Sequence, residues 1–65
     1  MEKKVLYNVL RQISLGQVPD SAPDQDYLKS LENIGLVKLG WDNKLTSFGN
    51  EIYLYLEDKL YTYST

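Results

Sequence analysis

The chain has 65 residues and contains neither cysteine nor histidine, and this combination constrains it more than any motif does. A domain of this size buries only about 60% of the surface that its unfolded chain exposes, so small domains usually add disulfides, a metal or a second subunit. Without cysteine there is no disulfide, thiolate ligand or iron–sulfur cluster. Without histidine the commonest metal ligand is missing. We therefore expect one small domain with no cofactor and no metal, for which a second subunit is the remaining stabilising device.

Catalysis is not expected either, because the parts that reactions need are missing. The serines have no histidine to activate them, and no serine and lysine fall at a spacing that suits a catalytic pair. The glycines are spaced as stops between elements and form no phosphate-binding loop. A domain this thin would not enclose its carboxylates in a pocket. The sequence predicts a non-catalytic protein without a small-molecule substrate.

Two helices are predicted in the first half of the chain. Apolar residues recur every three or four positions at the start and predict a helix over about residues 2–15. A second helix is predicted over about 22–34, with Ser21 as its N-cap and Asp24 at the capping-box position. Gly35 is expected to end it, because glycine readily adopts the left-handed conformation of helix C-termini.

The apolar period then changes and predicts a small antiparallel hairpin over about residues 36–46. Two short β-permissive stretches, 36–39 and 44–46, flank the turn-like residues 40–43. A two-stranded hairpin is not stable alone in water, so it must pack on the helices. The chain is therefore expected to be an α+β domain in the order helix, helix, β-hairpin, helix.

A third helix is predicted over about residues 47–60, capped by Thr46 or Ser47. Its core-facing residues are predicted by a ladder of i+4 steps: Phe48, Ile52, Leu56 and Leu60. Residues 52–56 also alternate between aliphatic residues and tyrosine, so a strand is the competing interpretation of that stretch. Residues 61–65 have poor helix propensity and are expected to fray or to lie across the surface.

Residues 28–56 resemble the second half of a winged-helix domain. A leucine-rich helix end with its glycine, a short hairpin, and leucine–threonine–two residues–glycine at 45–49 follow one another as in that superfamily. The resemblance implies a recognition helix, a two-stranded wing, and a role as an accessory or regulatory protein of bacterial or phage type in DNA-associated processes. A complete winged helix has another helix before its recognition helix. Only the six residues 16–21 separate the first two helices here, so the chain is either a reduced winged helix or another small α+β fold.

The resemblance places base-reading residues on the second helix, where the polar positions are Gln25, Lys29, Ser30 and Asn33. Lys29 is the only cation among them and has acidic neighbours. The wing offers a more favourable nucleic-acid surface, because lysines can neutralise a backbone and an aromatic ring can stack. The candidate nucleic-acid-binding residues are Lys29, Lys38, Trp41, Asn43 and Lys44. In the alternative interpretation, Trp41 packs over the helices and the lysines only solubilise an edge.

The net charge weighs against strong DNA binding. It is −2, whereas phosphate neutralisation needs surplus lysine and arginine. Any DNA binding by a single copy is therefore expected to be weak.

Tyrosine supports a second functional hypothesis, a protein-interaction module such as an inhibitor or adaptor that does not contact nucleic acid. Six of the 65 residues are tyrosine, and several lie close to the end of the chain. Tyrosine is enriched at protein interfaces, and a partner would also supply the missing stabilisation. The candidate interface residues are Tyr53, Tyr55, Leu60, Tyr61 and Tyr63. They predict a homodimer or a complex with another protein, and a tyrosine border around a monomeric core is the alternative.

No membrane contact is expected, because no stretch approaches the roughly 20 apolar residues of a membrane span. The start of the chain has no signal-peptide core, since polar residues interrupt its apolar ones too early. Together with the absence of cysteine, these features favour a cytoplasmic protein.

Overall fold

The computed structural model describes residues 2–61 and shows three helices and one hairpin. In chain order these are α1 (Lys3–Ser14), α2 (Gln25–Ile34), β1 (Val37–Lys38), β2 (Lys44–Leu45) and α3 (Ser47–Tyr61). The expected fold class, a small α+β domain with the order helix, helix, hairpin, helix, is confirmed. The layout is compatible with a winged-helix-like arrangement. The strand interpretation of 52–56 is wrong, because those residues lie inside α3.

Helix α1 forms the centre of the core and packs on α3 and β2. Its apolar residues are buried from Tyr7 to Ile13, and Val9 and Leu10 have no exposed surface, whereas Val5 and Leu6 are half-buried. Near its start Tyr7 contacts the second half of α3, whereas Ile13 near its end lies beside residues 45–47 and the first turn of α3. The two helices therefore run antiparallel. None of the helices within residues 2–61 combines the length and the apolar character that a membrane crossing requires.

Helix α2 begins at Gln25, three residues later than predicted, and its cap is Asp24. The Asp24 carboxylate accepts a hydrogen bond from the Tyr27 backbone N–H at 2.8 Å. The assignment of Ser21 as the cap is wrong: its backbone N–H donates to the Gln12 side chain, which ties the connector to α1. The physical reason is Pro23, because a residue that precedes proline is disfavoured in the helical region. Gly35 ends α2 as predicted, with a φ of 95°.

Thr46 joins the base of the hairpin to α3. Its backbone N–H donates to the Leu36 carbonyl at 3.1 Å, and its hydroxyl lies within hydrogen-bonding distance of the carbonyls of Gly35 and Leu36. The same hydroxyl accepts from the Gly49 N–H at 2.9 Å, while the Thr46 carbonyl accepts from the Asn50 N–H. Of the two predicted caps, Thr46 is therefore the N-cap of α3.

Gly49 lets α3 lie directly against the backbone of Leu36. A Cβ atom at position 49 would be 2.7 Å from the Leu36 carbonyl carbon and closer still to its oxygen. No side chain fits in that space, because ordinary carbon contacts are about 3.5–4.0 Å. The threonine and the glycine of the motif at 45–49 thus have one purpose, which is to hold the hairpin base on the first turn of α3.

Because of this contact, the buried face of α3 differs from the face that the i+4 ladder predicts. Because Gly49 faces the core, Phe48 is turned aside by about 100° and is 48% exposed. The prediction that Phe48 is buried is therefore wrong. Leu56 is buried as predicted, whereas Ile52 and Leu60 are only half-buried against the core.

Candidate functional site

We call the hairpin formed by β1, β2 and the loop between them the wing. Its two lysines lie side by side on its outer face. In the antiparallel register Val37 is opposite Leu45 and Lys38 is opposite Lys44. Residues opposite each other on neighbouring strands point to the same face, and Val37 and Leu45 point toward the core. Lys38 and Lys44 are both exposed on the other face, and neither forms an ion pair with a residue in the 2–61 range. Like charges opposite each other are destabilising, so this pair does not serve the hairpin itself.

Trp41 lies in the loop that joins the two strands and is wholly exposed. The alternative interpretation, in which its ring packs over the helices, is therefore wrong. A buried tryptophan would add a large apolar area to the core, which is small in a domain of this length. At the wing tip this ring contributes nothing to folding and is free to contact another molecule.

Two hydrogen bonds fix the wing around these residues. The Gly40 N–H donates to the Asn43 side-chain oxygen at 3.5 Å, a long bond that closes the tip. The Leu39 N–H donates to the Glu32 carboxylate at 3.2 Å, which ties the end of β1 to α2. Asn43 thus has a structural task in the loop in addition to its predicted contact role. We define the wing surface as Lys38, Trp41, Asn43 and Lys44.

Lys29 belongs to a different surface, the outer side of α2. It is exposed, and so are the other predicted base-reading residues of this helix: Gln25, Ser30 and Asn33. The exposed residue Asp26 lies on the same helix and exposed Asp24 is its N-cap, while the exposed residue Glu32 of this helix directs its carboxylate to the Leu39 N–H. An acidic helix is repelled by phosphates, so α2 is a poor candidate for entry into a DNA groove.

A groove of about 490 Å³ separates the wing loop from the connector between α1 and α2. The connector side comprises the end of α1 and residues 16–19, in which Val18 is 79% exposed. The wing side comprises residues 40–44, which include Trp41. Sequence reasoning missed the connector residues, because no local pattern shows that residues more than twenty positions apart meet in space.

The predicted protein interface includes residues that already have partners inside the domain. Tyr53 stacks on Tyr7 with ring centroids 5.3 Å apart and an interplanar angle of 15°, and the Tyr61 ring lies 5.3 Å from Tyr7 at 56°. Burial of Tyr7, with the Tyr53 side chain beside it, raises the pKa of the Tyr7 phenol to about 12. These three rings therefore fasten the start of α1 to the second half of α3.

The remaining interface candidates lie around this cluster. Tyr55 is exposed, with the Lys59 ammonium nitrogen 5.6 Å from its ring centroid. Leu60 is half-buried and lines a second groove together with Tyr61. Tyr63 lies outside the described residues. The interface role of these residues stays a prediction.

Comparisons with models of known protein families, with curated proteins and with solved structures found no match. The function is therefore inferred from the wing surface and from the groove beside it. Their polar and aromatic groups include two ammonium ions, one indole ring, side-chain amides and the carboxylate of Asp42. Such groups make contacts with charged and aromatic ligands, and that is the chemistry this surface supports.

Proposed function

We propose that this chain is a small, non-catalytic binding module of winged-helix type that acts in a DNA-associated process through its wing. The observation that supports this proposal is the position of Lys38 and Lys44 beside each other, next to the exposed ring of Trp41. Lysines neutralise phosphates, and an exposed ring can stack on a nucleic acid. Local arrangements that do not serve the fold are expected at functional sites.

Binding of duplex DNA by one copy is expected to be weak. The wing surface carries two lysines, and each phosphate contact changes the logarithm of affinity by about 0.9 for each log unit of salt. The acidic side of α2 repels a backbone that approaches from that direction. A useful affinity would then require a second copy or a larger assembly.

The test uses the fluorescence of Trp41, the only tryptophan in the chain. Titration with DNA at low salt is expected to quench the indole, because the ring lies at the contact. The double variant Lys38→Glu and Lys44→Glu should lose binding of fluorescently labelled DNA, measured by anisotropy. Lys29→Glu is the matched control, since it reverses one exposed charge on α2 and should bind like the parent. If the wing variant bound DNA as tightly as the parent, the wing would not be the contact surface.

The second candidate function, a protein-interaction module, is supported by the apolar side chains outside the wing that are about half-exposed or more. They are Leu15, Val18, Ile34, Phe48, Leu54, Tyr55 and Tyr61. Exposed apolar area is typical of surfaces that contact another protein. In this case the charge-reversed wing variant should keep its function, and association should persist at high salt.

A further inference from the structure

We propose that the wing surface and the adjoining groove bind single-stranded nucleic acid, with one unpaired base stacked on Trp41 and the neighbouring phosphates on Lys38 and Lys44. This inference rests on the proposed function, in which the wing contacts nucleic acid, and it names the class of substrate. It differs from the winged-helix expectation, which is a duplex whose groove receives the second helix.

The exposed ring of Trp41 favours an unpaired base. In a duplex the bases are stacked on one another and offer only their edges and the sugar–phosphate backbone. A single strand offers whole base faces, and stacking on an aromatic ring tolerates any base. Trp41 packs against no residue of the described range 2–61, so it gains such a contact without losing one there.

The groove beside Trp41 provides a place for the base. Its volume of about 490 Å³ lies within the range of small-ligand sites, about 300–1,000 Å³. Amide side chains of Gln17 and Asn43 line it. The Asn43 oxygen accepts from the Gly40 N–H, which leaves its NH₂ group to donate to a base edge.

The groove and the hairpin carry charges of both signs. Lys44 and Asp42 line the groove, Lys38 lies opposite Lys44, and the Glu32 carboxylate lies at the end of β1, so phosphates are expected on the two ammonium groups only. Asp26 on α2 and Asp24 at its N-cap oppose the docking that a duplex would need. The arrangement therefore favours a single strand over a duplex.

The experiment compares an oligodeoxythymidine of about 12 nucleotides, a usual length for single-strand sites, with a duplex of equal length. Quenching of Trp41 is expected at concentrations at least about tenfold lower for the single strand. Two phosphate contacts predict a slope of about −1.4 for the logarithm of the association constant against the logarithm of salt concentration. Lys38→Gln and Lys44→Gln should each reduce that slope to about −0.7.

Variants of the ring test the stacking step, with a labelled oligonucleotide as the probe. Trp41→Ala should weaken binding about 5- to 150-fold, the contribution of one stacked base, and Trp41→Phe should recover most of that loss. Phe48→Ala is the matched control, because it removes another exposed aromatic ring, outside the residues that predict the dimer, and should leave binding unchanged. Unchanged binding by Trp41→Ala would overturn the proposed stacking.

The outcomes separate this inference from the function on which it rests. Equal or tighter binding of the duplex would overturn the single-strand proposal and leave a DNA-binding wing. Poly-L-glutamate that quenches Trp41 as strongly as the oligonucleotide would show that charge alone is recognised, which also overturns it. Absence of binding to both nucleic acids at low salt would overturn the inference and the proposed function together.

Discussion

Gly49→Ala is the substitution for which helix propensity and packing predict opposite results. Gly49 lies in the first turn of α3, and alanine is more favourable than glycine inside a helix by about 1 kcal/mol. The structure predicts destabilisation instead, because the new Cβ would be 2.7 Å from the Leu36 carbonyl carbon. The sign of the change in unfolding free energy therefore decides between the two.

The magnitude follows from the displacement that the Cβ atom requires. Reaching an ordinary carbon contact of about 3.5–4.0 Å with the Leu36 carbonyl carbon moves α3 away by at least about 1 Å, and the carbonyl oxygen, which is closer still, requires more. Such overpacking costs about 1–3 kcal/mol. The shift also weakens the hydrogen bonds that Thr46 makes with Leu36 and Gly49, at about 1 kcal/mol each. After subtraction of the gain in helix propensity, the expected loss is about 2–4 kcal/mol.

Urea unfolding followed by circular dichroism measures this loss. A domain of this length has a stability of about 3–10 kcal/mol, so Gly49→Ala should lower the midpoint strongly or leave the chain unfolded. Gly40→Ala is the control: nothing lies within 4 Å of its added Cβ atom, and its stability should change by no more than about 0.5 kcal/mol. A Gly49→Ala protein more stable than the parent would refute the proposed contact of α3 with Leu36.

Three further predictions concern tyrosines. Within residues 2–61 the buried Tyr27 hydroxyl has no hydrogen-bond partner. Tyr27→Phe should therefore raise the free energy of unfolding by about 1 kcal/mol, and with it the thermal midpoint; a lowered midpoint would contradict this. The pKa of Tyr7 is raised from 10.0 to about 12, so its contribution to stability is complete below pH 10 and lost as the pH rises toward 12. Urea unfolding across that range should show a smaller loss for Tyr7→Phe. Exposed Tyr55 and Tyr61 predict a homodimer, and sedimentation at micromolar concentration should show a mass that increases with concentration.

Periodicity predicted the elements of this fold more successfully than it predicted their exact faces. The apolar stripe of α1 is regular, so its helix and the burial of Val9, Leu10 and Ile13 followed directly from spacing, whereas buried Tyr7 lies outside the predicted stripe. In α3 the apolar pattern predicts that Phe48 faces the core. The structure has Gly49 there instead, because the base of the hairpin lies in close contact with the helix at that position. A glycine carries no hydrophobic signal, so periodicity alone could not find this contact.

The candidate site was predictable only where its residues are neighbours in sequence. Lys38, Trp41 and Lys44 fall within one hairpin, and their clustering follows from the turn between two short strands. The opposite wall of the groove, with Gln17 and Val18, depends on how the hairpin packs against the end of α1. The orientation of the hairpin relative to α1 is set by tertiary contacts, and no short sequence pattern encodes it.

The two ends of the wing differ in how tightly they are packed: its base lies at Thr46 against α3, and its tip is the loop at residues 40–43. This difference determines where the chain can accept sequence change. The base is fixed by the hydrogen bonds of Thr46 and by Gly49, where no side chain fits. At the tip Trp41 is wholly exposed, and a Cβ atom added at Gly40 would have no atom of the described residues within 4 Å. Ligand preference can therefore diverge by substitutions at the tip while the foldability of the chain is preserved. A library randomised at the tip should yield mostly folded proteins with altered binding, and one randomised at the base should yield few folded proteins.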